Sequence, residues 1–209
     1  MTGPLAHQGA AVLVPVKGFA DAKKRLAGHL TVPQRAALAR RMAERVVAAA
    51  APLPVFVVCD RADVRDWAGP VGATPIWSPG RGLNGAVTRG VATLAADGFD
   101  RVIVAHADLP LATTLAWVAE GDGATLVPDR HEDGTNVICV PAHSGFRFHY
   151  GSGSFAKHTA EAGRLGLAVR VVRDPALGWD VDLPRDLDIP AGLAPGVDLD
   201  LVPQEDPCP

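Results

Sequence analysis

The chain has 209 residues, of which 48% are hydrophobic and 21% are charged, and its formal net charge is −3 at pH 7. This balance fits one globular domain with a hydrophobic core. A mildly acidic chain of this kind is not expected to bind nucleic acid or an anionic membrane surface, and no apolar run approaches the roughly 20 residues that cross a bilayer.

Signals for export and for cysteine chemistry are missing from the sequence. Residues 1–10 lack the basic and then apolar order of a secretory signal, so we expect a cytoplasmic protein. Cys59, Cys139 and Cys208 lie far apart and form no C-x-x-C pair. Neither a disulfide framework nor a zinc site is therefore predicted.

Strand-like apolar runs alternate with helical patterns, which predicts an α/β fold with a mostly parallel sheet and helices on both faces. Residues 11–16 are the first predicted strand, and residues 17–30 form a polar loop after it. A helix is predicted over 31–51, because Thr31 can cap it, with a proline in its first turn and Gln34 at the capping-box position.

The rest of the chain continues the alternation. The further predicted strands are residues 55–59, 73–77, 101–107, 124–127, 136–140 and 168–172, and the further predicted helices are residues 84–96, 113–120 and 154–165. Residues 1–190 are predicted to form a single domain. Residues 191–209 are rich in proline and glycine and are predicted to form a loosely ordered tail.

The loop after the first strand is rich in cations, with Lys17, Lys23, Lys24 and Arg25 within nine residues. Ligands of open α/β sheets bind beyond the carboxyl ends of the strands. A triphosphate needs such cations, because its charge must be neutralised before an anionic nucleophile can approach. The alternative is a solvated surface turn, but the position directly after a buried strand favours phosphate binding. The loop contains no Walker A motif.

Two aspartate clusters are candidate metal ligands. Asp108 follows the predicted strand 101–107, where a hard cation could be shared with phosphate oxygens. Asp180 and Asp182 project to the same side if their segment is extended. Asp108 could instead cap the next turn, and Asp182 could cap a short helix opened by Pro184. Asp180 has no such alternative.

Two glycine-containing segments have the character of anion sites. Gly151-Ser152-Gly153-Ser154 precedes a predicted helix, whose N-terminus favours negative charge, although an ordinary helix cap is the alternative. Residues 80–85 form a literal G-x-G-x-x-G, but no good strand leads into it and the following acidic residues come too early for a dinucleotide site. We predict instead that this loop and Asn84 contact a base or ribose.

The histidines show no metal-ligand spacing. His106 is predicted to be a hydrogen-bonded core residue and not a catalyst. His158, one turn after Ser154, could face a bound phosphate, but a solvated helix position is predicted for it.

Taken together, these motifs resemble those of the guanylyltransferases of deazaflavin coenzyme F(420) biosynthesis, within the larger group of molybdopterin-guanylyltransferase-like nucleotidyltransferases. The resemblance covers about residues 11–190. It is carried by Pro15-Val16-Lys17, Ala22-Lys23-Lys24-Arg25-Leu26, Leu83-Asn84, Asp108-Leu109-Pro110, Asp133-Gly134-Thr135-Asn136, Gly151-Ser152-Gly153-Ser154-Phe155 and Asp180-Val181-Asp182.

The resemblance implies a three-layer fold of the nucleotide-diphospho-sugar-transferase (GT-A/MobA-like) type. It also implies an enzyme that joins the GMP unit of GTP to phosphoenolpyruvate, 2-phospho-L-lactate or 3-phosphoglycerate with loss of pyrophosphate; we favour phosphoenolpyruvate. The acid would be held by Thr135, Gly151 and Ser154. The implied magnesium ligands are Asp108 and Asp180, and Asp182 is a further candidate ligand that could instead cap the helix after it. The implied nucleotide contacts are Pro15, Lys17, Lys23, Arg25 and Asn84, and the implied catalytic groups are Lys17, Lys23, Arg25 and Asp108.

The expected partners are thus GTP and a small phosphorylated carboxylic acid, with the next enzyme of the pathway as recipient of the product. A phosphate monoester is nearly dianionic at neutral pH and needs no catalytic His or Cys to act as a nucleophile. Rival hypotheses are a molybdopterin nucleotidyltransferase of the same fold, a GTP-binding regulatory protein without turnover, and a nicotinamide oxidoreductase.

Overall fold

The structure, a computed structural model, describes residues 9–193. Within that range seven strands form one sheet: β1 (Ala10–Pro15), β2 (Val55–Cys59), β3 (Thr74–Trp77), β4 (Arg101–Ala105), β5 (Ala124–Pro128), β6 (Thr135–Pro141) and β7 (Val169–Val171). The α-helices of the same range are α1 (Val32–Ala49), α2 (Ala62–Ala68), α3 (Gly82–Ala96) and α4 (Ser154–Arg164). Short 3-10 helices lie at Phe19–Asp21, Lys24–Leu26, Ala116–Ala119, Pro184–Leu187 and Ala191–Leu193.

The sheet is mixed and mostly parallel, as predicted. Its strand order is β3-β2-β1-β4-β6-β5-β7. Among the described strands, β6 runs antiparallel to both of its neighbours, and the other pairs are parallel. After β3 the chain crosses to the other side of β1, so β1 and β4 are neighbours whose following loops leave the same edge of the sheet. Such a switch of direction is where open α/β sheets bind ligands.

Helices cover both faces of the sheet, which confirms the predicted three layers. Alternate side chains of β1 point to opposite faces: Val12 and Val14 pack with α1 and α2, whereas Ala11 and Leu13 pack with α3 and α4. Helix α3 lies especially close to β1 at Gly90, where a Cβ atom would come within 2.5 Å of Leu13 Cδ2. Any larger residue at this position would force either the buried Leu13 side chain or the helix to shift.

Helix α1 begins as the sequence predicts. The Gln34 backbone N–H donates to Thr31 Oγ1, and the Thr31 backbone N–H donates to Gln34 Oε1 at 2.9 Å, which together form a capping box. One side of the helix packs on the sheet. Another side, with Leu38 and Met42, packs against Val181 of the segment that carries the second aspartate cluster.

Two short elements differ from the predictions. The helix predicted over 113–120 is wrong: a 3-10 helix spans Ala116–Ala119, and its hydrogen bonds join residues three apart, such as Val118 to Leu115. Gly121 follows with φ +89°, so no room remains for a longer helix. Helix α2 was not predicted, because seven residues make too few turns for a periodic pattern to be recognised.

Of the tail predicted over residues 191–209, the structure describes the first three residues. Ala191–Leu193 form a 3-10 helix. The remainder of the predicted tail, residues 194–209, lies outside the described residues, and the single-domain prediction for residues 1–190 stays a prediction.

Candidate active site

The candidate site lies at the switch point, where the loops after β1 and β4 leave adjacent strands. The loop after β1 is anchored by two buried apolar side chains, Phe19 and Leu26, one in each of its 3-10 helices. Between them Lys23 adopts the left-handed backbone conformation, with φ 51° and ψ 42°. A non-glycine residue pays about 1–3 kcal/mol for a conformation of this kind, and such residues concentrate at functional sites.

The side chain of Lys23 joins three separate segments. Its ammonium donates to Asp108 Oδ2 at 2.6 Å and to Asp182 Oδ1 at 3.2 Å, and the side chain is only 10% exposed. Burial by itself lowers the pKa of Lys23, but the carboxylates of Asp108 and Asp182 together outweigh it and raise that pKa above its ordinary value. Lys23 is therefore a fixed, largely buried positive charge. The alternative that the loop is a solvated surface turn is thus excluded for this residue.

Asp108 is ionised for the complementary reason. Burial tends to raise its pKa, yet the adjacent Lys23 ammonium holds the pKa below the ordinary value. Oδ2 accepts from Lys23, whereas Oδ1 is buried and has no hydrogen-bond partner among the described residues. The alternative that Asp108 caps the following turn is thus wrong, and one lone oxygen remains for a ligand.

Asp180 and Asp182 come back to the same place from the far end of the chain. The Val181 backbone N–H donates to the Asp108 carbonyl at 3.3 Å, which holds the two aspartate clusters side by side. Asp182 is bonded to Lys23 and lies 3.6 Å from Arg25 Nη1. It does not cap the Pro184–Leu187 turn, so that alternative is wrong.

The carboxyl group of Asp180 has a pKa above its ordinary value. Burial, together with the nearby carboxylates of Asp108 and Asp182, raises its pKa to about 6. Arg130 Nη1 lies 3.5 Å from Asp180 Oδ1 and compensates only in part. The three aspartates thus carry more negative charge than Lys23 and Arg130 neutralise. We call Lys23, Asp108, Asp180 and Asp182 the ionic cluster.

The ionic cluster fits a divalent cation in two respects. Asp108 Oδ1 lacks a partner among the described residues, and the carboxylates of Asp108 and Asp182 add to the effect of burial in raising the pKa of Asp180, as nearby anions do. No group of three or more His, Cys, Asp or Glu side chains in residues 9–193 is arranged to hold a metal by itself. Magnesium is commonly bound by one or two carboxylates and completed by phosphate oxygens and water, so a partial protein cage is sufficient.

The other predicted nucleotide contacts lie around this cluster. Pro15 ends β1, and Lys17 is exposed at the mouth of the loop, near enough to lower the pKa of His106. Arg25 is largely exposed, with its guanidinium near Asp182. The structure therefore brings Lys17, Lys23 and Arg25 to one edge of the sheet, together with the aspartates.

A second group of polar side chains lies beyond β4 and is held by neutral hydrogen bonds. His158 was predicted to be solvated, which is wrong: it is fully buried, with Nδ1 3.0 Å from Thr135 Oγ1. Its Nε2 accepts from the His149 backbone N–H at 2.9 Å, so the neutral ring carries its proton on Nδ1 and donates it to Thr135. The Thr135 hydroxyl hydrogen is then left for another acceptor.

The glycine segment before α4 is tied down on both sides. Asn84 Oδ1 accepts from the Tyr150 backbone N–H at 2.7 Å, and Asn84 Nδ2 donates to the Tyr150 carbonyl at 3.2 Å. Asp133 Oδ1 accepts from the Gly153 backbone N–H at 3.0 Å. These bonds fix residues 150–154 at the start of α4, where Ser154 is the first helical residue. We call Asn84, Thr135, Tyr150 and His158 the neutral cluster.

Asn84 therefore has a structural role that the sequence did not reveal. Its amide oxygen and nitrogen each make one bond to Tyr150, which leaves one lone pair and one hydrogen for a further ligand. The predicted contact with a base or ribose stays a prediction.

His106 lies between the two clusters. Its ring centroid is 4.9 Å from that of Tyr150, and the charges of Asp108 and Lys23 act on its pKa, which burial lowers. The prediction of a fully hydrogen-bonded His106 is wrong, since neither its Nε2 atom nor the Tyr150 hydroxyl has a partner among residues 9–193.

Two functional candidates were missed altogether. Arg130 contacts Asp180, and Asp186 accepts hydrogen bonds from the backbone N–H groups of Asp182 and Leu183. For Asp186 a signal existed: an acidic residue at the third position of a turn that begins with proline can cap that turn. Nothing local marks Arg130, because its partners are about 50 residues away in the sequence.

No helix among the described residues is long and apolar enough to cross a membrane.

Comparison with known proteins gives a family match. The family described as "Guanylyl transferase CofC like" matches residues 10–189. A phosphoenolpyruvate guanylyltransferase of Sphaerobacter thermophilus is 34% identical over 192 residues, which cover 88% of this chain and 93% of the relative. A 2-phospho-L-lactate guanylyltransferase of Halorubrum lacusprofundi is 35% identical over 176 residues, which cover 79% of this chain and 76% of the relative.

Solved structures support the fold. A protein of Desulfovibrio desulfuricans G20 assigned to the nucleotide-diphospho-sugar transferases superposes with a TM-score of 0.68 at 19% identity, covering 85% of this chain and 84% of that one. A nucleotidyl transferase of Methanothermobacter gives a TM-score of 0.60 at 15% identity, covering 87% and 94%. At these identities the likeness concerns the fold alone, and it confirms the predicted nucleotide-diphospho-sugar-transferase type.

Proposed function

The chain belongs to the guanylyl transferase CofC-like family, and from that membership we propose that it transfers GMP from GTP to phosphoenolpyruvate, with release of pyrophosphate, in coenzyme F(420) biosynthesis. Phosphoenolpyruvate is chosen over 2-phospho-L-lactate because the relatives that combine 34–36% identity with coverage of 84–88% of this chain carry the phosphoenolpyruvate name. GTP as the donor follows from the guanylyltransferase names of these relatives.

The observation that carries the proposal is the separation of charge at the switch point. The ionic cluster lies beside the cation-rich loop, as a triphosphate site requires, whereas the neutral cluster offers hydrogen-bond donors to a second, smaller anion. Two anions must meet during the transfer, so a site with two differently built halves suits the reaction.

The chemistry needs alignment and charge neutralisation more than proton transfer. An oxygen of the acceptor phosphate forms a bond to the α-phosphorus of GTP, while the bond from the α-phosphorus to the bridging oxygen of the β-phosphate breaks. Pyrophosphate leaves with that oxygen, and no proton has to move. Phosphoryl transfer of this kind is catalysed by positioning and electrostatic stabilisation.

Lys23 is the central residue on the nucleotide side. An ammonium group has three donors, and two are directed at Asp108 and Asp182, so one remains for a phosphate oxygen. Lys17 and Arg25 would balance the charge of the triphosphate and of the departing pyrophosphate. We propose that Asp108 and Asp180, with Asp182, hold magnesium, which would neutralise phosphate charge when bound.

On the acceptor side, the Thr135 hydroxyl is oriented by His158. Because it accepts from His158 Nδ1, its own hydrogen is free to be donated to an oxygen of the acid. Gly151 has φ +119°, which few residues other than glycine adopt, and this backbone leads into the N-terminus of α4. The Gly151 backbone and the Ser154 hydroxyl, at the positive N-terminal end of α4, would bind the negative charge of the acid.

The test is a direct assay with the products identified by mass. The protein is incubated with GTP, magnesium and, in turn, phosphoenolpyruvate, 2-phospho-L-lactate or 3-phosphoglycerate; ATP and CTP replace GTP in controls. We expect the guanylylated phosphoenolpyruvate and one pyrophosphate per adduct. Formation of the 2-phospho-L-lactate adduct alone would reassign the acceptor, and GTP binding without any adduct would refute the transferase. We further propose that the product passes to the next enzyme of the pathway.

A further inference from the structure

The segment that carries Asp180 and Asp182 has no secondary structure of its own. Residues 178–183 form neither strand nor helix. A bond from the Val181 backbone to the Asp108 carbonyl and the burial of the Val181 side chain attach its middle to the domain. Apart from the hydrogen bond that Lys23 donates to Asp182 Oδ1, the backbone that carries the two aspartates must therefore be held by other contacts.

Arg130 makes those contacts from the loop after β5. Its Nη1 donates to the Asp180 carbonyl at 3.0 Å and lies 3.5 Å from Asp180 Oδ1. The guanidinium carbon lies 4.4 Å from the centroid of the Trp179 ring, a distance typical of cation–π contact. Its backbone N–H also donates to the Gly178 carbonyl at 2.9 Å. One residue thus fixes three consecutive residues of the segment.

Asp186 completes the arrangement from the other end. Its Oδ1 accepts a short hydrogen bond from Arg130 Nη2, and its Oδ2 accepts from the backbone N–H groups of Asp182 and Leu183 at 2.9 and 2.7 Å. The side chain is 3% exposed, so these bonds are made away from water. Three of the roughly four acceptor positions of the carboxylate are therefore used to hold the segment.

From these contacts we propose that Arg130 and Asp186 are positioning residues that set the geometry of Asp180 and Asp182 and so determine the affinity of the ionic cluster for a divalent cation. The inference rests on the proposed function, in which those aspartates hold magnesium. Groups that orient metal ligands in this way are worth about 10- to 100-fold in metal affinity. Neither residue touches the reacting atoms, so the effect should appear in metal binding rather than in acceptor binding.

The test measures metal binding directly. Mn²⁺ is titrated into the protein in the presence of GTP, and free Mn²⁺ is followed by its electron paramagnetic resonance signal. We expect the Mn²⁺ dissociation constant to rise about tenfold in Asp186→Asn and in Arg130→Met. Arg130→Lys, which keeps the charge but loses the fork of donors, should lie between Arg130→Met and the unchanged protein.

Matched controls separate positioning from general damage. Arg173→Met removes an exposed arginine that is paired with Glu132, and Asp188→Asn makes the same change as Asp186→Asn two residues further on. Both should leave the Mn²⁺ dissociation constant within about twofold. In the guanylyl transfer assay, saturating Mg²⁺ should recover most of the activity of the Asp186 and Arg130 variants, with the KM for the acceptor nearly unchanged.

The outcomes distinguish this inference from the proposed function. If the unchanged protein forms the adduct and folded Asp186→Asn and Arg130→Met bind Mn²⁺ normally, the positioning role is refuted while the transferase stands. If the unchanged protein forms no adduct, the proposed function fails whatever the variants do. Should Arg130→Met not fold by circular dichroism, Arg130→Lys decides the question, and an unchanged Mn²⁺ dissociation constant there overturns the role of Arg130.

Discussion

The two halves of the candidate site are organised by different interactions. The ionic cluster is held by charge: Lys23 lies between Asp108 and Asp182, and Asp180 is left with an incompletely balanced carboxylate. The neutral cluster is held by directional hydrogen bonds, from His158 to Thr135 and from Asn84 to the Tyr150 backbone. The first half can therefore attract a charged ligand, whereas the second presents hydrogen-bond donors in fixed directions.

This difference predicts that the two halves respond separately to mutation and to a change of pH. Changes in the ionic cluster should alter turnover and metal dependence, and changes in the neutral cluster should alter the KM for the acceptor acid. A variant that moved both quantities equally would show that the halves are not independent.

The largest effect is expected from Asp108→Asn. The substitution keeps the shape of the side chain but removes its negative charge. That charge attracts Lys23 at Oδ2 and is available to a ligand at Oδ1, which has no partner among the described residues. Loss of a central electrostatic group costs about 3 kcal/mol or more in the barrier, so kcat should fall at least about 100-fold. The adduct assay measures it, and the thermal midpoint shows that the protein is folded.

Asp97→Asn is the matched control, because Asp97 is exposed at the C-cap of α3, at the edge where β4 begins and thus opposite to the candidate site. It should keep normal turnover. Full magnesium-dependent activity of Asp108→Asn would remove Asp108 from the mechanism.

The two halves of the site also differ in how well they could be predicted from the sequence. The members of the ionic cluster were singled out from the sequence: Lys23 and Asp108 lie in the loops that follow two buried strands, and an extended segment would direct Asp180 and Asp182 to the same side. Parallel strands bring their following loops to one edge, which is why Lys23 and Asp108 meet. The strand alternation likewise predicted the layers and the mostly parallel sheet. The bonds from Asn84 to Tyr150 and the burial of His158 were not predicted, because the partners Tyr150 and Thr135 are 66 and 23 residues away. A neutral hydrogen bond leaves no mark in the local pattern.

The second prediction concerns acid, to which the two halves should respond in opposite directions. The pKa of Asp180 is raised to about 6, so the folded protein binds this proton more tightly than the unfolded chain, and lowering the pH from 6 to 4 stabilises the fold through Asp180. Burial lowers the pKa of His158 to about 4, so the unfolded chain binds that proton first. Acidification from pH 6.5 to 4 therefore destabilises the fold through His158. Each full contribution amounts to about 3 kcal/mol.

Variants separate the two contributions. Asp180→Asn should lose stability more steeply than the unchanged protein as the pH falls from 6 to 4, and should be the more stable of the two at pH 7. His158→Phe should lose less stability over the same interval, although it starts lower. Urea unfolding at pH 4.5, 5.5 and 7 measures both slopes. Parallel slopes for all three proteins would contradict the assigned pKa shifts.

A smaller effect is expected of His158→Phe on catalysis at pH 7. The ring packs among Phe146, Phe148 and Tyr150, so phenylalanine fits the surroundings while both hydrogen bonds disappear. The Thr135 hydroxyl is then free to turn away from the acid. Loss of one oriented hydrogen bond costs about 1–1.5 kcal/mol, so the KM for the acceptor should rise about tenfold. The KM for GTP should stay within about twofold, and exposed His143→Phe should change neither constant.

The smallest effect is expected of Asn84→Asp. The carboxylate can still accept from the Tyr150 backbone N–H, but it loses the donor to the Tyr150 carbonyl and places a negative charge beside that oxygen. The segment 150–154 should loosen without unfolding, which raises the KM for the acid about fivefold for a loss of about 1 kcal/mol. Thr93→Ala removes another exposed side-chain bond of the same helix and serves as the control. If Asn84→Asp raises the KM for GTP and leaves the KM for the acid unchanged, Asn84 binds the nucleotide, as the sequence predicts. Asn84 then belongs to the nucleotide half of the site, with the ionic cluster, and not to the acceptor half.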